Sequence, residues 1–202
     1  LAWEKSLDNQ TDNFLIKLSS NSISELDKKK DIIQTCEITD FPILKNEILK
    51  LKQTCLIDGN GFFILDGSCL LHFSNENIKE IFRIISNCFG ELYVQNIKKE
   101  KFVIITDEGK SMSTGGRYHQ TKEGGSFHTD SPQWNKVPDF IGLCCINPAK
   151  KGGESKFVSV YKIHNEMLKM HEEYLLLLYN KFHFDNEGPP HLAHLNSYSL
   201  HS

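Results

Sequence analysis

The stretch "GGSFHTDSP", residues 124 to 132, decides how the rest of the chain is read. His128 and Asp130 stand two residues apart, a spacing that puts both side chains on one face wherever the backbone is extended. A histidine and a carboxylate on one face can supply two ligands to a single ion. From the residues alone the alternative is an ordinary glycine-rich surface turn, and the surrounding sequence has to choose between them.

Working outward, 202 residues with 39% hydrophobic content suffice for one substantial core and hardly for two, so a single domain over residues 1–202 is expected. Lysine and arginine number 23 against 26 acidic residues, a formal charge of -3 without a basic block beyond Lys28 to Lys30, so a nucleic-acid partner is not expected. Runs such as "YLLLLY" and "FIGLCCI" are too short to cross a bilayer, and the first residues lack the basic and apolar regions of a signal peptide. The expectation is a cytoplasmic protein without a membrane partner. The six cysteines include no C-x-x-C pair and read as free, buried thiols. Cys144 and Cys145 lie inside an apolar run and are expected to behave as small hydrophobes.

Residues 1–90 read as a helical flank with a first strand. "SISELDKKKDII" pairs Ser22 with Glu25 in a capping-box pattern, with Ile23, Leu26 and Ile33 on an apolar face. Pro42 suits the first turn of a second helix, on which Leu44, Ile48, Leu51 and Cys55 recur at helical spacing until "GNG" at 59 to 61 stops it. "FFIL" follows as a short strand. Ser74 then caps a helix whose Ile78, Ile81, Phe82, Ile85 and Phe89 form one stripe ended by Gly90.

Beyond Gly90 the pattern becomes "ELYVQN", "KFVIIT", "FIGLCCI" and "KFVSV", β-rich runs separated by polar or glycine-bearing segments. The interval from Asp107 to Phe127 has little apolar periodicity, and loops of that length inside a domain are commonly functional. A helix is expected from about Tyr161 to Asn180, then a strand "KFHFD".

"FHTD" at 127 to 130, "GGES" at 152 to 155 and "VSVYKIHNEML" after it resemble the Fe(II)/2-oxoglutarate dioxygenases of the taurine dioxygenase (TauD/TfdA) family. "LAWEKSL", "GNGFFIL", "FGELYVQN" and "TDEG" look like the same family's approach to its site, so the resemblance runs to about Asp185. It implies an α+β fold: a double-stranded β-helix, or jelly-roll, core with flanking N-terminal helices, the barrel portion occupying 91–185 and a tail 186–202. It also implies Fe(II) and 2-oxoglutarate as cofactor and cosubstrate, O₂, and oxidation of a small-molecule substrate. A two-histidine, one-carboxylate set binds Fe(II) on one face and leaves positions open for cosubstrate and O₂. By resemblance His128 and Asp130 are metal ligands, and Ser155 bonds 2-oxoglutarate. Gln95 and Asn96 stand where relatives place polar residues near the substrate, and Arg117 in the long loop suits a carboxylate or sulfonate. Tyr118 and Trp134 are weaker candidates to line the site, and His164 and His171 read as surface residues.

The family's second histidine ligand and its cosubstrate arginine lie further downstream than this chain reaches. The two arginines here, Arg83 and Arg117, both precede the motif, while the tail offers His191, His194 and His201 without the family's surrounding pattern. Part of the barrel is therefore expected to be missing, leaving sheet edges that need a cover, for which another copy of the chain in a homo-oligomer is one candidate. The competing function is a non-catalytic remnant of the fold acting as a binding module.

Overall fold

A computed structural model describes residues 1–96, 98–114, 121, 125, 127–130 and 136–180. Two compact units emerge, one of residues 1–91, 142–148 and 158–169 and the other of residues 92–141, 149–157 and 170–202.

The first unit is built on three helices, α1 (Ser20–Lys28), α2 (Pro42–Leu51) and α3 (Asn75–Ser86). Ser19, not Ser22, caps α1, its hydroxyl accepting from Ser22 N at 3.3 Å. Ser22 falls inside the helix, fully buried, and donates its hydroxyl to Glu47 of α2. The expected capping box fails because its glutamate is engaged elsewhere. Glu25 accepts from the backbone N–H groups of Ile43 and Leu44, both at 3.0 Å, at the start of α2. Phe41 occupies the cap position there and has no side-chain acceptor to offer, while Pro42 needs none. Glu47 in turn accepts from Ser19 N at 2.9 Å. Each helix thus lends a carboxylate to the other's N-terminus, where the orphan amides and the helix dipole favour negative charge.

The apolar faces meet in one cluster in which Leu26, Ile33, Phe41, Leu44, Ile48 and Ile84 are fully buried. Burial of each such side chain stabilises by roughly 1.5 to 3 kcal/mol relative to exposure. Ser74 caps α3 as its sequence indicates, accepting from Asn77 N at 3.2 Å. Of the expected stripe Ile81 and Ile85 are buried and Ile78 and Phe89 pack partly buried against the cluster; Ile84 joins them, and the helix stops four residues before Gly90. Lys52 donates to Cys88 O and Phe89 O, at 3.3 and 3.2 Å, satisfying carbonyls just past that end. Lys52 itself opens a π-helical turn, Lys52–Ile57, that carries α2 on toward the Gly59 to Gly61 stop.

Strand structure among the described residues is confined to a two-residue parallel pair, β1 (Leu15–Ile16) with β2 (Ile64–Leu65), in register Leu15 to Ile64 and Ile16 to Leu65. The expected strands "ELYVQN", "KFVIIT", "FIGLCCI" and "KFVSV" form no ladder. A helix closes its own hydrogen bonds, but a strand needs a neighbour to close them. The side chains of these runs remain largely in solvent, Ile104 and Leu143 each 71% exposed. In the second unit the chain reverses at a turn held by Asn96, whose Oδ1 accepts from Lys98 N and Glu100 N at 3.0 and 3.1 Å.

The single helix expected over 161 to 180 is two: α4 (Val160–Met170) and α5 (Glu172–Leu178), separated at His171, where φ is -149° and ψ 50°. Glu172 and Glu173 in the first turn of α5 complement the dipole of that new N-terminus. The six thiols are all free. Cys36 and Cys88 are buried as expected, and burial pushes the Cys88 thiol above its usual range. Cys144 and Cys145 are exposed, contrary to expectation, since no layer covers them among the described residues. No described helix is long and apolar enough to cross a membrane.

Candidate metal centre

His128 and Asp130 lie in the second unit with His128 Nε2 3.5 Å from Asp130 Oδ1. Both side chains are about half exposed, 51% and 55%, so an incoming ion meets them without rearrangement of a core. Two ligand atoms each about 2.1 Å from an ion and at right angles are about 3 Å apart, so a small closing of this pair reaches a shared ion. The donor types fit a borderline divalent metal that takes imidazole and carboxylate together. Among the described residues no group of three or more histidine, cysteine, aspartate or glutamate side chains is placed to hold a metal. His191, His194 and His201, the sequence candidates for a further ligand, lie outside the described residues. His164 is half-buried in α4, and His171 sits at the helix break with Nδ1 4.0 Å from Glu173 Oε1, so the two do not share a helix.

Ser155 follows a turn that only glycine makes readily. Gly152 and Gly153 have φ of 73° and 84°, and a side chain on Gly153 would also meet the Ala149 Cβ at 3.2 Å. From that turn through Val158 every residue is exposed, Ser155 and the neighbouring Lys150, Lys151 and Lys156 included. The serine hydroxyl is open to a ligand, with cations close by in sequence.

Gln95 and Asn96 serve their own turn: Gln95 Nε2 donates to Lys101 O at 2.8 Å, and Asn96 organises the reversal at Lys99, whose φ is 61°. Sequence reasoning missed this second role, although an asparagine heading a polar turn is the available signal. Arg83 is committed to the helical unit. Its Nε donates to Glu80 at 2.7 Å, Nη1 to Glu37 at 3.1 Å and Nη2 to Cys36 O at 2.6 Å, and the Glu80 hydrogen bond above all raises its pKa further. A guanidinium whose three nitrogens are so bound is not the clamp for a dianion. Arg117, with Tyr118 and Trp134, lies outside the described residues.

The comparisons with known proteins give the family. The model of the "Taurine catabolism dioxygenase TauD, TfdA family" matches residues 37–199, and the chain belongs to that family. Members of that family are Fe(II)- and 2-oxoglutarate-dependent. Among curated proteins the chain is similar to FR-33289 synthase of Streptomyces rubellomurinus (strain ATCC 31215), 32% identical over 148 residues, which cover 70% of this chain and 42% of that protein. The chain thus spans less than half the length of that relative. No solved structure matches.

Proposed function

We propose that this chain carries the iron-binding part of an Fe(II)/2-oxoglutarate-dependent oxygenase that oxidises, by hydroxylation, a small-molecule substrate with release of succinate and CO₂. The observation that carries the reading is the His128 to Asp130 approach of 3.5 Å inside the family-matched stretch. In this reading residues 1–202 form one domain, with the helices of residues 1–90 flanking a jelly-roll to which the runs after Gly90 contribute strands. The family match and the β-rich composition of those runs support it.

His128 and Asp130 would hold the iron, and bound Fe(II) with 2-oxoglutarate would supply the activation of O₂ for oxidation of the substrate. Ser155 donates its hydroxyl to the cosubstrate carboxylate, and the glycine turn before it leaves room for that approach. Gln95, Asn96 and Arg117 are the proposed substrate contacts, Arg117 offering a fork of donors matched to a planar anion. The work of these side chains is to bind, to orient and to exclude water.

The test is succinate formation by the full-length protein from 2-oxoglutarate with Fe(II) and O₂ across a panel of small acids and amines, with Asp130→Ala as control. Substrate-dependent succinate that disappears in the variant is expected. Iron bound at wild-type stoichiometry by both His128→Ala and Asp130→Ala would overturn the assignment, and absence of turnover across the panel would favour the binding-module reading.

A further inference from the structure

We propose that Asn60 with Gly61 is a latent self-modification site, which the π-helical turn Lys52–Ile57 keeps closed and whose conversion to isoaspartate loosens the N-terminal segment. In an asparagine-glycine pair the glycine backbone nitrogen can attack the asparagine carboxamide carbon, since no Cβ stands beside the nucleophile. The bond from that nitrogen to Cγ forms as the carboxamide nitrogen leaves as ammonia, taking up the backbone proton through solvent. Water then opens the cyclic imide at either carbonyl, to aspartate or isoaspartate, with no oxidant or other reagent consumed. All the residues concerned lie in the first unit.

The two reacting groups are held differently. Asn60 lines an open depression with Trp3, Gln10 and Asn13, and among the described residues its carboxamide has no hydrogen-bond partner. The nucleophile is tied, because Gly61 N donates to Cys55 O at 2.9 Å. Gly59 seats the turn against the same segment so closely that a Cβ there would stand 2.4 Å from Thr54 O and 2.8 Å from Cys55 O. Asp58 adds a further tie, its N–H donating to Gln53 O at 2.9 Å and its carboxylate accepting from Gln53 Nε2 at 2.8 Å. The Gly61 nitrogen is therefore free to turn toward Cγ only when this turn opens locally. Conversion has a reader in the N-terminal segment. Trp3 Nε1 donates to Asn60 O at 2.8 Å, and the Trp3 ring meets Phe62 edge to face with centroids 5.3 Å apart. In isoaspartate the main chain runs through the former side chain and gains one carbon, and the carbonyl that accepts from Trp3 becomes a free carboxylate outside the main chain. The acceptor for Trp3 and its spacing from Phe62 then change together.

The test is peptide mapping of the full-length protein after parallel incubation in mildly alkaline buffer, folded and in denaturing urea. The mass gain of amide-to-acid conversion and the chromatographic split between aspartate and isoaspartate are read at residue 60. Conversion is expected to be slower in the folded protein by about tenfold or more, the weight of one hydrogen bond. Gly59→Ala, which forces the turn off Thr54 O, should bring the folded rate toward that in urea, and Asn60→Gln should stay unconverted in both. Equal rates in the folded and urea samples, or no conversion in urea, would overturn the proposal, as would a folded Gly59→Ala that converts no faster than wild type. Should melting curves show that Gly59→Ala does not fold, the wild-type Gly61 amide decides: slow hydrogen exchange upholds the gate, and free exchange beside slow conversion overturns it. Protein carrying isoaspartate is expected to exchange faster across residues 2–10 than unconverted protein or Asn60→Asp, which keeps the main-chain length. Equal exchange in all three would overturn the loosening of the N-terminal segment.

Discussion

Ile84 and Leu143 are comparably apolar, yet Ile84 is fully buried and Leu143 is 71% exposed. The difference lies in what surrounds them. Ile84 belongs to α3, which closes its own backbone hydrogen bonds and presents a finished apolar stripe to α1 and α2. Leu143 belongs to a run that closes no ladder among the described residues, so its backbone lacks the hydrogen-bonded neighbour with which a strand builds an apolar face. Apolar sequence specifies burial only where the partner surface is also specified.

The comparison breaks or sharpens under mutation. Phe41→Ala, in the fully buried cluster, is expected to cost about 3 to 5 kcal/mol, read from urea unfolding of the helical unit. A loss below 1 kcal/mol would mean that the cluster is not the organising core. Next in size, His128→Ala and Asp130→Ala should each weaken iron binding by more than the roughly tenfold to hundredfold that a supporting contact costs, with the urea midpoint unmoved. Glu25→Ala removes the acceptor for two α2 amides and is expected to cost about 1 to 2 kcal/mol by the same urea measurement. Leu143→Ala should change stability by no more than about 0.5 kcal/mol. A cost near that of Phe41→Ala would show that its run is covered in solution.

The smallest effect concerns pH. The Glu37 backbone N–H, followed by Lys29, holds the Asp40 carboxyl below its usual range. A depressed carboxylate contributes its full stabilisation above the unfolded value, about pH 4, and loses it as pH falls through the folded value. Asp40→Asn should therefore flatten the acid limb of a melting-temperature curve below about pH 4 and leave the neutral region little changed in slope. An identical acid limb would remove Asp40 from the account.

The sequence located the helices well and their ends poorly. Ser74, Pro42 and the Leu44 to Ile48 spacing are local signals, and local signals govern a helix that bonds within itself. The Ser22 to Glu25 box was legible and misleading, because Glu25 is claimed by α2, a competition that no window around residue 25 contains. The break at His171 has no proline or glycine to announce it, only the paired glutamates that follow. At the candidate site the motif singles out His128 and Asp130, and the structure adds their 3.5 Å approach. The glycine turn before Ser155 was legible through its composition. The turn-forming duty of Asn96 was not, since it is decided by backbone groups whose positions follow from folding.

Reciprocal capping of α1 and α2 makes the first turn of each helix a detector for the other. The Ile43 and Leu44 amides are sheltered by Glu25 only while α1 is seated, and the Ser19 amide by Glu47 only while α2 is. Neither helix can fray at its start without exposing donors there and freeing the carboxylate that its neighbour lends. The pair is therefore expected to open as one event, with the amides of Ser19, Ile43 and Leu44 exchanging at a common rate although 24 residues of chain lie between the first and the last.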